Sequence, residues 1–125
     1  MKHLLDVNLL LAAIWQHHPH HAAAATWLAG KQVTLCPIAE LGFIRISTNP
    51  KAYGATMEKS RTLLELFAKE RKAVHIADDL PALDANPSTS DQVTDHYLAA
   101  LAEKHNLKLA TFDTGIKHAA VVIVS

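Results

Sequence analysis

The strongest constraint on this 125-residue chain is a change of apolar period that repeats along it. Short apolar runs of strand length alternate with longer segments whose apolar residues recur at helical spacing. Strands are expected at 3–7, 32–36, 73–77, 108–112 and 121–124. Helices are expected at 9–15, at 20–29, from Pro37 to about Asn49, at 56–72, and from Ser90 or Asp91 to Asn106. Asn8 is the expected N-cap of the first helix, and Gly30 the residue that ends the second. Pro19 breaks the first helix, and Pro37 suits the first turn of the third. In that third helix Leu41, Ile44 and Thr48 share one stripe. The stretch 78–90, rich in Asp, Pro, Ser and Asn, reads as loop with one helical turn at most. Nearly continuous apolar strands alternating with helices imply an α/β fold with a mostly parallel sheet covered on both faces. No repeat or linker interrupts the pattern, so residues 1–125 are expected to form a single domain.

Several classes fall on composition. Cys36 is the only cysteine, which removes an internal disulfide and a Cys-rich zinc site. No apolar run approaches the roughly 20 residues that span a bilayer. Asp6 interrupts the N-terminal segment too early for a signal peptide, so a cytoplasmic location is expected. Twelve Lys and Arg balance twelve Asp and Glu, which argues against broad electrostatic capture of nucleic acid.

The acids are informative by position. In open parallel sheets, ligands bind beyond the carboxyl ends of the strands. Asp6 ends the first strand and Asp113 follows the fourth. Glu40 lies one turn into the helix after the second strand, flanked by Ile38, Ala39, Leu41 and Gly42. Asp95 lies one turn into the helix before the fourth. Any one of them alone reads as a helix cap or a first-turn acid matched to the helix dipole. Four converging on one end of a sheet repel one another and call for a cation. Oxygen ligands without a Cys partner suit Mg²⁺, with Mn²⁺ as a substitute.

Leu4-Leu5-Asp6-Val7-Asn8 resembles the opening of a PIN-domain nuclease. The segment from Pro37 to Ser47 around Glu40 is similar to its second acidic motif. Thr94-Asp95-His96-Tyr97-Leu98, followed by Leu109-Ala110-Thr111-Phe112-Asp113, is similar to its third and fourth. The order and spacing, over essentially the whole chain, look most like the VapC toxins of type II toxin–antitoxin pairs. The resemblance implies a three-layer α/β/α PIN-like fold with a five-stranded parallel sheet. It implies a metal-dependent endoribonuclease with Asp6, Glu40, Asp95 and Asp113 as catalytic, metal-binding acids. Asn8, Thr94 and Thr111 would be polar supports. It also implies an RNA substrate, a cognate VapB-like antitoxin and a homodimer, with Leu9, Leu10, Ile14, Trp27 and Leu28 supporting the pairing. A bound divalent ion would lower the pKa of a water and offset charge on the phosphoryl group. Hydrolysis of this kind leaves 5′-phosphate and 3′-hydroxyl ends.

Other features receive plainer readings. The His17-His18-Pro19-His20-His21 run reads as a solvated turn; Pro19 spoils metal-ligand spacing. His96 is expected at the surface, and Asp91 as a helix cap. Trp15 and Trp27 read as core or interface residues. Arg45, Lys51 and Lys117 are candidate phosphate contacts. Two other function classes stay open: a housekeeping RNA-processing PIN nuclease, and a non-catalytic doubly wound binding module. A receiver module would need an acidic pair early in the chain, which Asp6 lacks; Asp78-Asp79 stands in the wrong place. Setting the quartet aside leaves eight acids against twelve bases, a modest basic excess for an RNA-facing rim.

Overall fold

A computed structural model describes residues 2–125. Five strands form one sheet: β1 (Lys2–Leu5), β2 (Gln32–Leu35), β3 (Val74–His75), β4 (Lys108–Thr111) and β5 (Val121–Ile123). Five helices flank it: α1 (Val7–Ile14), α2 (His21–Leu28), α3 (Pro37–Thr48), α4 (Met57–Glu70) and α5 (Val93–Lys104). The spatial order is β3-β2-β1-β4-β5, and all four strand pairings are parallel. The chain winds outward from β1 to β3, then restarts on the other side at β4. The direction therefore reverses between β1 and β4, the crevice where doubly wound sheets bind ligands.

Strand alternation produces the three layers. Leu5 and Ala110 face one side, packing with Leu9, Leu10, Leu28, Phe43, Leu64 and Phe67 from α1 to α4. Leu4 and Leu109 face the other, packing with Leu98, Leu101 and Ala102 of α5. Each fully buried leucine contributes about 1.5–3 kcal/mol relative to exposure. The central strands are buried, whereas both residues of β3 are exposed at the sheet edge.

The helix boundaries carry three corrections. The N-cap of α1 is Asp6, whose carboxylate accepts from the Val7 N–H; Asn8 lies inside the first turn, its side chain free for another task. Neither Ser90 nor Asp91 caps α5. That helix follows a 3₁₀ turn, Ser90–Gln92, and has no side-chain cap; Asp91 accepts from the Thr89 hydroxyl instead. The inward stripe of α3 is Ala39, Gly42, Phe43 and Ser47, one position round from the expected one, and Leu41 is 64% exposed. The cause is Gly42. An added Cβ there would lie 2.6 Å from Val7 Cγ2, so α1 packs directly against the α3 backbone. Gly30 takes φ +75° just past α2, the left-handed position where glycine carries no steric penalty.

Leu9, Leu10 and Leu28 are wholly buried inside the chain and are not available to pair protomers. Trp15 is core: its indole N–H donates to Ser47 Oγ at 2.9 Å and its ring stacks near Phe43 and Tyr53. Trp27 is half-buried, edge-on to His3 with Lys31 over its face. Among the described residues no helix is long and apolar enough to cross a membrane.

Candidate functional site

The reversal between β1 and β4 puts Asp6 beside Thr111. The Thr111 hydroxyl is wholly buried and donates to Asp6 Oδ2 at 2.8 Å. The same oxygen accepts from Asn8 Nδ2 and from the Asp113 N–H, both at 3.0 Å. One donated and two accepted bonds saturate a hydroxyl. Asn8 Oδ1 in turn accepts from the Phe112 N–H at 3.2 Å. Asp6 Oδ1 accepts from the Val7 N–H at 2.8 Å, and the Asp6 N–H donates to the Ala110 carbonyl. Asp113 is exposed, and its Oδ1 accepts from the Gly115 N–H at 2.8 Å. Sequence neighbours at one end of the chain are thus bonded to residues more than a hundred positions away.

Charge gathers where this web opens. Burial pushes the Asp6 carboxyl above the usual carboxylate range, against the lowering effect of Thr111 and Val7, and Asp113 adds repulsion. Asp95, half-buried on α5, is pushed up to about 6, first by burial and then by repulsion from Asp6 and Asp113. His96 partly offsets this, while Asp91 adds to it. Asp6, Asp95 and Asp113 therefore share one electrostatic neighbourhood.

Glu40 stands apart from that trio. In the first turn of α3, its Oε2 lies 3.6 Å from Nε2 of His75 on β3. Burial raises its pKa, His75 lowers it, and Asp78 raises it again. Asp78 Oδ1 is buried without a hydrogen-bond partner. His75 and Asp78 escaped the sequence reading. Asp78 stands three residues beyond β3 and directly after the strand expected at 73–77, which was the available signal; it was weighed only with Asp79 as a receiver-type acidic pair.

Thr94 is exposed and joins no hydrogen bond of the Asp6–Thr111 web. It borders an apolar groove with Ile38, Leu80 and Tyr97. Arg45, Lys51 and Lys117 are all exposed. Arg45 lies in the last turn of α3, and Lys51 lies beyond that helix, on a turn where its N–H donates to Asn49 Oδ1. The eight helical steps from Glu40 to Thr48 at the end of α3 separate Lys51 from Glu40 by roughly 12 Å of helix axis. Lys117 lies between β4 and β5. His96 turns inward: its Nε2 is buried without a partner and its ring meets His118 edge-on at 6.2 Å. Burial pushes the Cys36 thiol up to about 12, which removes it as a nucleophile.

Among the described residues, no three His, Cys, Asp or Glu side chains stand close enough together to hold a metal ion as they are. The donor set nonetheless fits a hard cation. Asp6, Asp95 and Asp113 offer only carboxylate oxygens, and their mutual repulsion is what a cation relieves. Mg²⁺ keeps several of its waters and needs only one or two protein carboxylates.

A family model described as "PIN domain" matches residues 3–122. Ribonuclease VapC38 of Mycobacterium tuberculosis is 36% identical over 121 residues, covering 90% of this chain and 86% of that protein. Ribonuclease VapC39 of the same species is 33% identical over 131 residues, covering 96% and 94%. Among solved structures, VapBC2 from Rickettsia felis, bound to a DNA fragment from its promoter, superposes with a TM-score of 0.61. That likeness covers 92% of this chain and 90% of the other at 17% identity, and it bears on the fold alone.

Proposed function

The chain belongs to the PIN-domain family, among its VapC ribonucleases, and from that premise we propose how its residues divide the work. It is a metal-dependent endoribonuclease toxin, neutralised by a cognate VapB-like antitoxin. It acts in the cytoplasm as a homodimer, with residues 1–125 as one PIN unit. Asp6, Glu40, Asp95 and Asp113 would hold Mg²⁺, for which Mn²⁺ would substitute. When bound there, such an ion would supply an activated water and would offset charge at the phosphoryl group.

The side chains take distinct parts. Asn8 and Thr111 fix Asp6 at the crevice by the bonds already described. Asp95, pushed up to about 6, is ionised at neutral pH and would meet a cation as a carboxylate. Both oxygens of Asp6 are engaged, whereas Glu40 makes one long contact with His75. Glu40 is therefore the acid that accepts the proton of the attacking water. Thr94, which borders the groove of Ile38, Leu80 and Tyr97, takes no part in holding Asp95. Arg45, Lys51 and Lys117 meet more distant phosphates of a long RNA.

The observation that carries this reading is the shared repulsion of Asp6, Asp95 and Asp113 at the sheet's reversal point. The test is cleavage of total RNA, with the new ends sequenced, in Mg²⁺ and in EDTA. Wild-type protein should generate 5′-phosphate ends only with Mg²⁺, and Asp6→Asn and Asp95→Asn should generate none. Wild-type-level cleavage by both variants would refute the assigned site. Growth arrest on expression, relieved by a co-expressed small neighbouring protein, separates a toxin from a housekeeping nuclease.

A further inference from the structure

We propose that the histidine turn at 17–21 and Phe112 form a track for single-stranded RNA that begins beside Asp113; this rests on the ribonuclease reading above. The turn joins α1 to α2 and places four imidazoles in five residues. Pro19 keeps it from continuing as helix. Three of them, His18, His20 and His21, differ in their contacts. His21 Nδ1 lies 2.8 Å from the Ala12 carbonyl, so that nitrogen carries a proton and anchors the turn to α1. His18 Nδ1 accepts from the His20 N–H at 3.0 Å, which leaves the proton of the neutral ring on Nε2. The exposed His20 ring makes no hydrogen bond; its contacts are with other rings.

Those contacts share the His20 ring. The His20 ring centre is 5.2 Å from that of Phe112, tilted by 32°. The His18 ring is 5.7 Å from the His20 ring, tilted by 45°. Both spacings are those of ring pairs in contact. Phe112 is half-buried, its N–H is held by Asn8, and it immediately precedes Asp113. Three rings in successive contact therefore start at Phe112, the residue before Asp113. Unpaired bases stack on such platforms whatever their sequence, whereas a duplex keeps its base faces covered. Burial and the neighbouring His20 and His21 hold His18 below the usual imidazole range. His18 therefore meets RNA with a neutral ring face rather than with charge.

The track gives the acids a complement. A carboxylate pocket repels phosphates until a cation is bound. Stacked bases on His18, His20 and Phe112 hold the strand without adding basic charge, which suits a chain of zero net charge.

The test is fluorescence anisotropy in EDTA at low salt, with a labelled single-stranded RNA of about ten nucleotides and a duplex of the same length. His20→Ala should weaken single-strand binding roughly five- to tenfold. Its melting temperature, its duplex binding and the slope of affinity against salt should match wild type. His20→Trp should restore the affinity. Phe112→Leu gives the second variant, since it keeps the apolar contact and removes the aromatic face. In Mg²⁺ the His20→Ala loss should appear in KM with kcat unchanged. Wild-type affinity in both His20→Ala and Phe112→Leu overturns the track. So does a loss that tracks salt, or one shared equally by duplex RNA. If wild-type protein binds through these rings yet cleaves no RNA with any divalent ion, the ribonuclease reading fails and the track stands. If it cleaves and His20→Ala leaves KM and affinity unchanged, the track fails alone.

Discussion

Two ends of the same acidic rim are built differently. At the seam of β1 and β4, Asp6 is locked by Val7 and Thr111, and Thr111 by Asn8 and Asp113. The strands there are buried. At the β2–β3 edge, Glu40 has one contact at 3.6 Å, to a histidine whose side chain is 53% exposed. The strand carrying that histidine has two residues. The seam fixes one carboxylate in advance, whereas the edge leaves another able to move. A pocket that must admit a hydrated cation and a phosphate benefits from both: a fixed wall sets position, and a movable wall closes on what enters.

The comparison can be broken in four ways, beginning with the largest effect. Asp6→Asn should lower kcat for RNA cleavage by roughly 10²–10⁴-fold, the range for groups acting directly at a reacting centre. His75→Ala should cost less than about tenfold, because it acts only through Glu40. Equal losses in single-turnover kinetics would mean that the edge is as critical as the seam.

Next is Thr111→Val, which keeps the shape and removes the hydroxyl. Asp6, Asn8 and the Asp113 N–H each lose a partner, so urea unfolding should show a loss of about 1–3 kcal/mol. His75→Ala should lose less than about 1 kcal/mol, as exposed pairs do. The reverse order would place the rigid wall at the wrong end.

The third concerns pH and the cation. Asp95 has an ordinary value of 3.8 and a folded value of about 6. Between those pH values the folded chain keeps a proton that the unfolded chain has released. Ionisation of Asp95 therefore opposes folding as pH rises, and the penalty is complete above about 6. In EDTA, Asp95→Asn should melt above wild type at pH 7, and this gain should vanish below the ordinary value. Mg²⁺ should reverse the order by stabilising wild type, by about 2.7 kcal/mol at a hundredfold excess over Kd. Melting curves across pH with and without Mg²⁺ measure both. A wild-type melting temperature indifferent to Mg²⁺ would count against the cation.

The smallest effect sharpens the edge itself. His75→Gln keeps a hydrogen-bond donor but loses the ring, and should shift stability by under about 0.5 kcal/mol. It should also leave the Mg²⁺-induced rise in melting temperature close to wild type. A large fall in that rise would mean that His75 fixes Glu40 firmly.

Much of this was legible in the sequence, for identifiable reasons. Leu4 and Leu5 alternate across the sheet as the strand period demands, and Gly30 adopts the left-handed conformation expected of a helix terminator. The positions of Asp6 and Asp113 were readable because strand ends are marked by apolar runs. Pairings between distant segments left no local mark. The Asn8 amide turned from an expected cap to a bond with Thr111, and Glu40 found His75 across two elements. The α3 stripe was misjudged by one residue, because hydrophobicity favoured Leu41 while the fold required the smallest residue inward. His96, next to Asp95, was expected at the surface, and its ring is instead turned toward His118.

Gly42 has a consequence for the pocket as a whole. It sits two residues after Glu40 and touches Val7, the residue after Asp6. The gap between the two acidic walls is therefore set by how closely one helix rests on another's bare backbone. A single methyl group at position 42 would act as a shim, prying the walls apart while leaving every acid in the chain. The aperture of such a pocket is a matter of packing, adjustable from behind without altering any group that faces the substrate.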